Sequence, residues 1–343
     1  MTTEGFRRTP DESGGFLPGG VFVASGEGAD WPRWVRSRRR RRLARKRART
    51  AFVFAGGGAR GAAQVGMLQA LTAHGIVPDA IYGTSVGAIN AAGFAGDPTI
   101  GGVEFMAEHW REVQRDDVFP QGRFPTPWRF FQTREAVFPS EGVRRIIQTG
   151  LRFERLEQSP VHLEVVATSL TDGRPHWFSS GPAEPAILAS AALPALLPPV
   201  VIDDETFIDG GVVDNVPIAR AIEQGAQRVF VLLCGPLHYK PQKYRRPIEG
   251  VLAAFFIAVN AKFADQLETL PDGVEVIVFT VDTQALSGYD DFSGTESLIA
   301  AGRANAEAVL DFWRHGGVGE TVLRTEPSPV LLSDEDTFDR SVL

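Results

Sequence analysis

From Thr50 onward the sequence alternates short apolar runs with longer stretches whose apolar residues recur at helical spacing, and nothing else restricts the fold as much. AFVFA (51–55) reads as a strand entering GGGARG. The next segment, 62–74, puts Val65, Leu68 and Leu71 on one helical face and stops at Gly75, with Pro78 beyond. Residues 80–82 read as a second strand and 86–94 as a helix of small residues. Further strands over 162–168, 206–208, 228–233 and 274–281 interleave with helices over 185–192, 217–224, 248–267 and 296–314. This alternation predicts an α/β fold with a mostly parallel central sheet and helices on both faces. Asp172-Gly173 predicts a tight turn and an edge hairpin.

The first fifty residues do not share the pattern. They are rich in Gly and Arg and lack periodicity, so they read as a leader outside the fold, with the folded unit over 51–315 and a tail over 316–343. The leader holds 13 Lys/Arg against 5 Asp/Glu, net +8, whereas the remaining chain is net −15. Its charge is concentrated in RSRRRRRLARKRAR, from Arg36 to Arg49. Such a run is either a solvated arm or a binder of anionic headgroups. Nucleic acid is disfavoured, because the acidic body would repel it.

Composition closes off other classes. The single cysteine, Cys234, excludes an intrachain disulfide and multi-cysteine zinc sites, and points to a reducing, cytoplasmic setting. The six histidines form no HExxH or H-x3–5-H pattern, and Glu104 with Glu108 on one helical face lack a third ligand. No metal or cofactor is expected. No apolar stretch reaches the roughly 18–20 residues of a membrane span, and the longest, VLAAFFIAVNA, runs into Lys262 and Asp265.

GGGARG (56–61) follows a strand and opens a helix, which is the outline of a dinucleotide site. That reading needs an acid at the end of the second strand. Asp79 has the spacing but precedes the strand, and GTSVG occupies its end. The glycines have another use. Consecutive backbone N–H groups aimed at a carbonyl oxygen form an oxyanion hole. The helix dipole beginning near Gly61 would help, and Arg60 would add charge or anchor the loop.

GTSVG places Ser85 between Gly83 and Gly87, with a strand before it and the helical VGAINAAG after it. A nucleophile elbow needs this context, though a serine in a tight turn fits the same letters. IDGGVVDNVP ends a short strand on Asp209, followed by Gly210 and Gly211. A carboxylate there lies on the edge where α/β sheets bind ligands, but DGG is also a common turn. Asp214 and Asn215 read as helix caps.

In this order and context, GGGARG, GTSVG and DGG, with ASAALPALLPPV between the last two, resemble the patatin-like phospholipase family over about residues 51–281. The resemblance implies a three-layer α/β/α fold and a serine acyl hydrolase acting on lipid or other hydrophobic acyl esters. It implies Ser85 as nucleophile, Asp209 as general base, and Gly56, Gly57 and Gly58 with Arg60 as the oxyanion region. One departure is Ala55, where patatin itself carries an acid that many bacterial members also lack.

Chemistry sets a condition on that dyad. A free aspartate with pKa near 3.9 is a poor acceptor for a serine proton, so Asp209 must be desolvated and held at hydrogen-bond distance. Two alternatives stay open: a Ser-His-Asp esterase with His238 as base, and a non-catalytic lipid-binding module of the same fold. His315 and His74 read as helix-end residues, while His109, His162 and His176 lie outside any motif. The aromatic and proline-rich segment 119–138 is either a lid or a packed excursion. Residues 193–200, LPALLPPV, either pack under the sheet or shape an acyl pocket. A soluble enzyme able to touch the inner membrane face through Arg36–Arg49 is expected; the oligomeric state is left open.

Overall fold

The structure, a computed structural model, describes residues 22–23, 49–120, 136, 138–236, 247–281 and 290–314. β1 (Phe22–Val23) and β2 (Thr50–Phe54) come first, and a 3-10 turn over Gly58–Gly61 leads into α1 (Ala62–Ala73). β3 (Ala80–Thr84) turns into α2 (Val86–Gly96), followed by α3 (Ile100–Glu112), the single turn α4 (Arg115–Val118) and α5 (Glu141–Gly150). β4 (His162–Ser169) and β5 (Pro175–Phe178) form the expected hairpin, with Gly173 at φ 71° in its turn. Then come α6 (Ala183–Ser190), β6 (Val200–Ile202), β7 (Glu205–Asp209), α7 (Gly211–Asp214) and α8 (Ile218–Glu223). β8 (Arg228–Leu232), α9 (Pro247–Glu268), β9 (Glu275–Phe279) and α10 (Thr295–Arg314) complete the described chain.

The strands form one sheet in the order β1-β9-β8-β2-β3-β4-β7-β6, with β5 also paired to β4. β9, β8, β2, β3 and β4 run parallel, and β1, β5, β6 and β7 add antiparallel pairings around them. Both faces of the central strands are buried, as parallel sheets require. Alternation divides their side chains between two cores. Phe52, Phe54, Phe230 and Phe279 join the core under α1, α2, α3 and α10. Ala51, Val53, Val229 and Val231 join a second core with Ile218 of α8 and Phe263 of α9. Helices therefore flank the sheet in three layers. On the first face Phe52 packs on Phe230 and Phe94 at centroid distances of 5.6 and 5.9 Å.

α1 and α10 approach without intervening side chains. A Cβ on Gly66 would lie 1.9 Å from the Ile299 carbonyl oxygen, and one on Gly302 would lie 2.0 Å from that of Ala63. His74 at the end of α1 closes the pair through Glu307 at 2.6 Å. Because the obstacle is backbone on both sides, neither helix can yield by a rotamer change. Gly66→Ala or Gly302→Ala is expected to destabilise the protein by about 3 kcal/mol through overpacking. An unchanged urea midpoint in either variant would rule out this close approach.

One expectation needs correction. The leader is not wholly outside the fold: Phe22 and Val23 pair antiparallel with Val278 and Ile277 of β9, and Thr50 belongs to β2. A two-residue strand carries no periodicity, so the sequence offered no signal for it. The sequence reading also lacked α3, α5 and β6. α3 has a legible N-cap in Thr99, whose hydroxyl accepts the Gly102 N–H at 3.2 Å. Residues 36–48, 121–135, the tail 316–343, His238 and His315 lie outside the described residues. No helix among the described residues is long and apolar enough to cross a membrane.

Candidate active site

Sheet register brings the motifs together. β4 pairs Val166 with Thr84 at the end of β3, and its next residue, Ala167, with Asp209 at the end of β7. Ser85 and Asp209 therefore emerge beside one another although 124 positions separate them in the chain. β2 lies on the other side of β3, so Gly56–Gly58 complete the cluster. Gly57, Gly58, Ser85 and Asp209 line one cavity.

Ser85 has φ 57° and ψ −130°, a left-handed-side conformation that costs a non-glycine residue on the order of 1–3 kcal/mol and persists only where neighbours impose it. Here α2 begins at Val86, and Gly87 lies so close to the end of β2 that a Cβ would be 2.4 Å from the Phe54 carbonyl oxygen. The serine thus sits at the apex of a strand–helix turn. Its N–H donates to Ser190 Oγ at 3.0 Å.

Asp209 is 1% exposed. One carboxyl oxygen, Oδ1, accepts the Gly211 N–H at 2.7 Å. Burial pushes its pKa up to about 6 from 3.8, against the opposing pull of hydrogen bonding from Ser85 and from Gly211. Oδ2 nevertheless has no partner of full hydrogen-bond geometry. Ser85 is thus near enough to favour the carboxylate, but the contact is not a well-formed bond in the resting protein. Catalytic hydrogen bonds often tighten only when substrate is bound. The desolvation that a Ser–Asp dyad would need is present.

The glycine run divides its labour. The Gly56 N–H donates to the Asn215 carbonyl at 3.3 Å, so the expectation that Gly56 supplies an oxyanion donor is revised. Among the described residues no acceptor takes the N–H of Gly57 or Gly58. Gly58 has φ 62°, where the chain turns into the 3-10 segment. Gly57 must be glycine because a Cβ would lie 2.2 Å from that of Cys234. Arg60 anchors the loop, with Nε donating to the Gly57 carbonyl at 3.3 Å, and burial lowers its pKa. The Cys234 thiol is pushed up to about 12 by burial and donates to the Ala55 carbonyl, so it is an inert packing residue.

A buried polar network that the motifs did not announce holds this loop. Gln64 Nε2 donates to the carbonyls of Ala55 and Leu232 at 2.8 and 2.9 Å. Asn90 Nδ2 donates to Gln64 Oε1 at 2.8 Å and to the Gly61 carbonyl at 3.0 Å. Trp110 Nε1 donates to Asn90 Oδ1 at 2.9 Å. Each member is satisfied by the others, and losing one leaves buried groups that cost about 1–3 kcal/mol each. The available signal was a long amide on the buried face of each of two small-residue helices.

Other residues sort plainly. Asp214 is not a cap: its carboxyl meets Gln266 Nε2 at 3.2 Å, while its carbonyl accepts the Thr84 hydroxyl at 2.9 Å. Asn215 works through its carbonyl on Gly56. Asp79 Oδ2 accepts the Thr50 N–H at the opposite end of β2 from the glycines, so it is far from a ribose position. His162 meets Glu164, and His176 packs on Phe178 and Phe207. His109 lines the cavity with Nε2 buried and unpartnered, which the sequence did not suggest. Leu193 and Leu197 from LPALLPPV also line it, and Val200 starts β6. Phe119 reaches the cavity wall and packs on Phe138 at 5.1 Å, so the two ends of the aromatic segment meet there.

Residues 52–222 match the family model of patatin-like phospholipases. Lysophospholipase nte1 of Aspergillus terreus is 31% identical over 213 residues, 59% of this chain and 13% of that protein. Lysophospholipase NTE1 of Kluyveromyces lactis is 31% identical over 218 residues, 61% of this chain and 14% of its own length. The chain thus spans about one-seventh of the curated relatives it matches. Among solved structures, human GIVD cytosolic phospholipase A2 aligns with a TM-score of 0.45 and 12% identity, over 80% of this chain and 60% of that one. Through residues 52–222, the chain belongs to the patatin-like phospholipase family.

Proposed function

We propose that this protein is a serine acyl hydrolase that cleaves lipid acyl esters, with lysophospholipids as the favoured class. The observation that carries the reading is a single cavity holding a strained serine, a buried carboxylate and two backbone donors without an acceptor among the described residues. The names of the relatives, lysophospholipases, support the choice of substrate. The apolar lining, including Ile89, Trp110, Val143 and Leu197, suits an acyl chain.

In the proposed mechanism Asp209 accepts the Ser85 proton as Oγ attacks the ester carbonyl. The N–H groups of Gly57 and Gly58 receive the developing oxyanion, a contribution worth about 10²–10³ in turnover per donor. Collapse releases the alcohol, which takes the proton from Asp209 and leaves an acyl-Ser85 ester. Asp209 then removes a proton from water as its oxygen attacks the acyl carbon, and collapse frees the fatty acid while Asp209 returns that proton to the departing Ser85 Oγ. Peripheral contact of Arg36–Arg49 with anionic lipid belongs to the same proposal and rests on charge alone.

The test is fatty-acid release by the purified protein from lysophospholipid, diacyl phospholipid and triacylglycerol, together with fluorophosphonate labelling of Ser85. Release from lysophospholipid with a covalent adduct on Ser85 is expected. No release from any of the three, with no adduct, would leave a lipid-binding module. Activity retained by Asp209→Asn but lost in His238→Ala would replace the dyad by a triad.

A further inference from the structure

The strained conformation of Ser85 needs something to hold it, and the residue on its N–H is not one of the motif glycines. It is Ser190, the last residue of α6, fully buried, with Oγ 3.0 Å from the Ser85 nitrogen. The same residue accepts the Gly210 N–H through its backbone carbonyl at 3.1 Å. Two residues on, the Ala192 carbonyl accepts the Asp209 N–H at 2.9 Å. One tight turn, Ser190 to Ala192, therefore grips the backbone of both Ser85 and Asp209.

We propose that Ser190 is a positioning residue that sets the gap between the Ser85 hydroxyl and the Asp209 carboxyl, its side chain holding the Ser85 N–H and its carbonyl the N–H of Gly210, the residue after Asp209. The proposal rests on the Ser85–Asp209 reading of the site. Asp209 Oδ2 has no well-formed partner, so proton transfer depends on how closely the two side chains are held. Sub-ångström placement of reacting groups governs rate steeply, and a displacement of about 1 Å costs up to roughly 10²-fold. Ser190 has a second consequence. By occupying the Ser85 N–H it removes that group as an oxyanion donor and leaves the task to Gly57 and Gly58.

The experiment compares the full-length protein with Ser190→Ala, Ser190→Thr and Ile299→Val. Ile299 lies on α10, outside the cavity, and its shortening costs about 0.5–1.5 kcal/mol, close to the loss of one buried hydrogen bond. Kinetics on a soluble short-chain ester, the rate of fluorophosphonate labelling and the melting temperature are measured for each. Ser190→Ala is expected to lower kcat and the labelling rate in parallel, about tenfold or more, with KM within about twofold. Ser190→Thr, which keeps the acceptor oxygen, should recover most of the loss, and Ile299→Val should keep wild-type kcat despite a lower melting temperature. A folded Ser190→Ala protein with wild-type kcat and labelling rate overturns the inference. So does a kcat loss that Ile299→Val reproduces, or one that folded Ser190→Thr fails to recover. If the wild type itself neither hydrolyses esters nor labels at Ser85, it is the Ser85–Asp209 reading that falls.

Discussion

Asp209→Asn is expected to lose ester hydrolysis by about 10³-fold or more and, at neutral pH, to unfold at a higher temperature than the wild type. On the proposed mechanism the loss follows from removing the proton acceptor. The gain follows from linkage. Burial raises the folded-state pKa from 3.8 to about 6, so the folded protein holds this proton more tightly than the unfolded chain does. Below pH 4 both states carry the proton and no penalty exists. As pH rises through about 6, the folded state must bury a charge, at up to about 3 kcal/mol. Asparagine never ionises and keeps an oxygen for the Gly211 N–H. The stability difference between variant and wild type should therefore be near zero at pH 4 and reach its full size by pH 7–8. Thermal melts at a series of pH values check this; a difference independent of pH would mean that Asp209 is not ionised at a cost. In the wild type the same titration should appear in kcat/KM, which rises with pH to a plateau above about 6.

Ser85→Gly pairs a comparable loss of turnover with a relieved backbone. Glycine adopts φ 57° freely, so the turn should gain about 1 kcal/mol while the proposed nucleophile disappears. Ser85→Ala removes the same hydroxyl and keeps the strain. The glycine variant should therefore melt above the alanine variant, with neither forming a fluorophosphonate adduct. Equal melting temperatures would indicate that the elbow is not strained. Together with Asp209→Asn, this outcome would describe a proposed active site whose two central residues each weaken the fold they sit in.

Much of this was legible in the residues. The short apolar runs AFVFA and RVFVLL, alternating with helical stretches, predicted buried parallel strands, and their two faces emerged as two cores. GTSVG between a strand and a helix predicted the elbow, because few residues other than glycine tolerate the contacts at its flanks. What was missed falls into two kinds. α3 carried a cap at Thr99 and a helical period in Val103, Met106, Ala107 and Trp110 that went unread, whereas β6 and Phe22–Val23 are too short to show a period. Gln64, Asn90 and Ser190 look like incidental polar residues in small-residue helices, and their roles come from partners between 9 and 168 positions away.

The sequence by itself determined the α/β class, the position of the elbow and the identity of the carboxylate at the end of β7, since these depend on local pattern and on residue types few others can replace. Only the tertiary structure decided that Gly56 gives its N–H to Asn215, that those of Gly57 and Gly58 meet no acceptor among the described residues, and that Asp209 is buried with its pKa pushed up. Those facts depend on the register of β4 against β3 and β7 and on the turn at Ser190. Register is a property of paired strands and desolvation a property of everything packed around a group, so neither is written in any one segment of the chain.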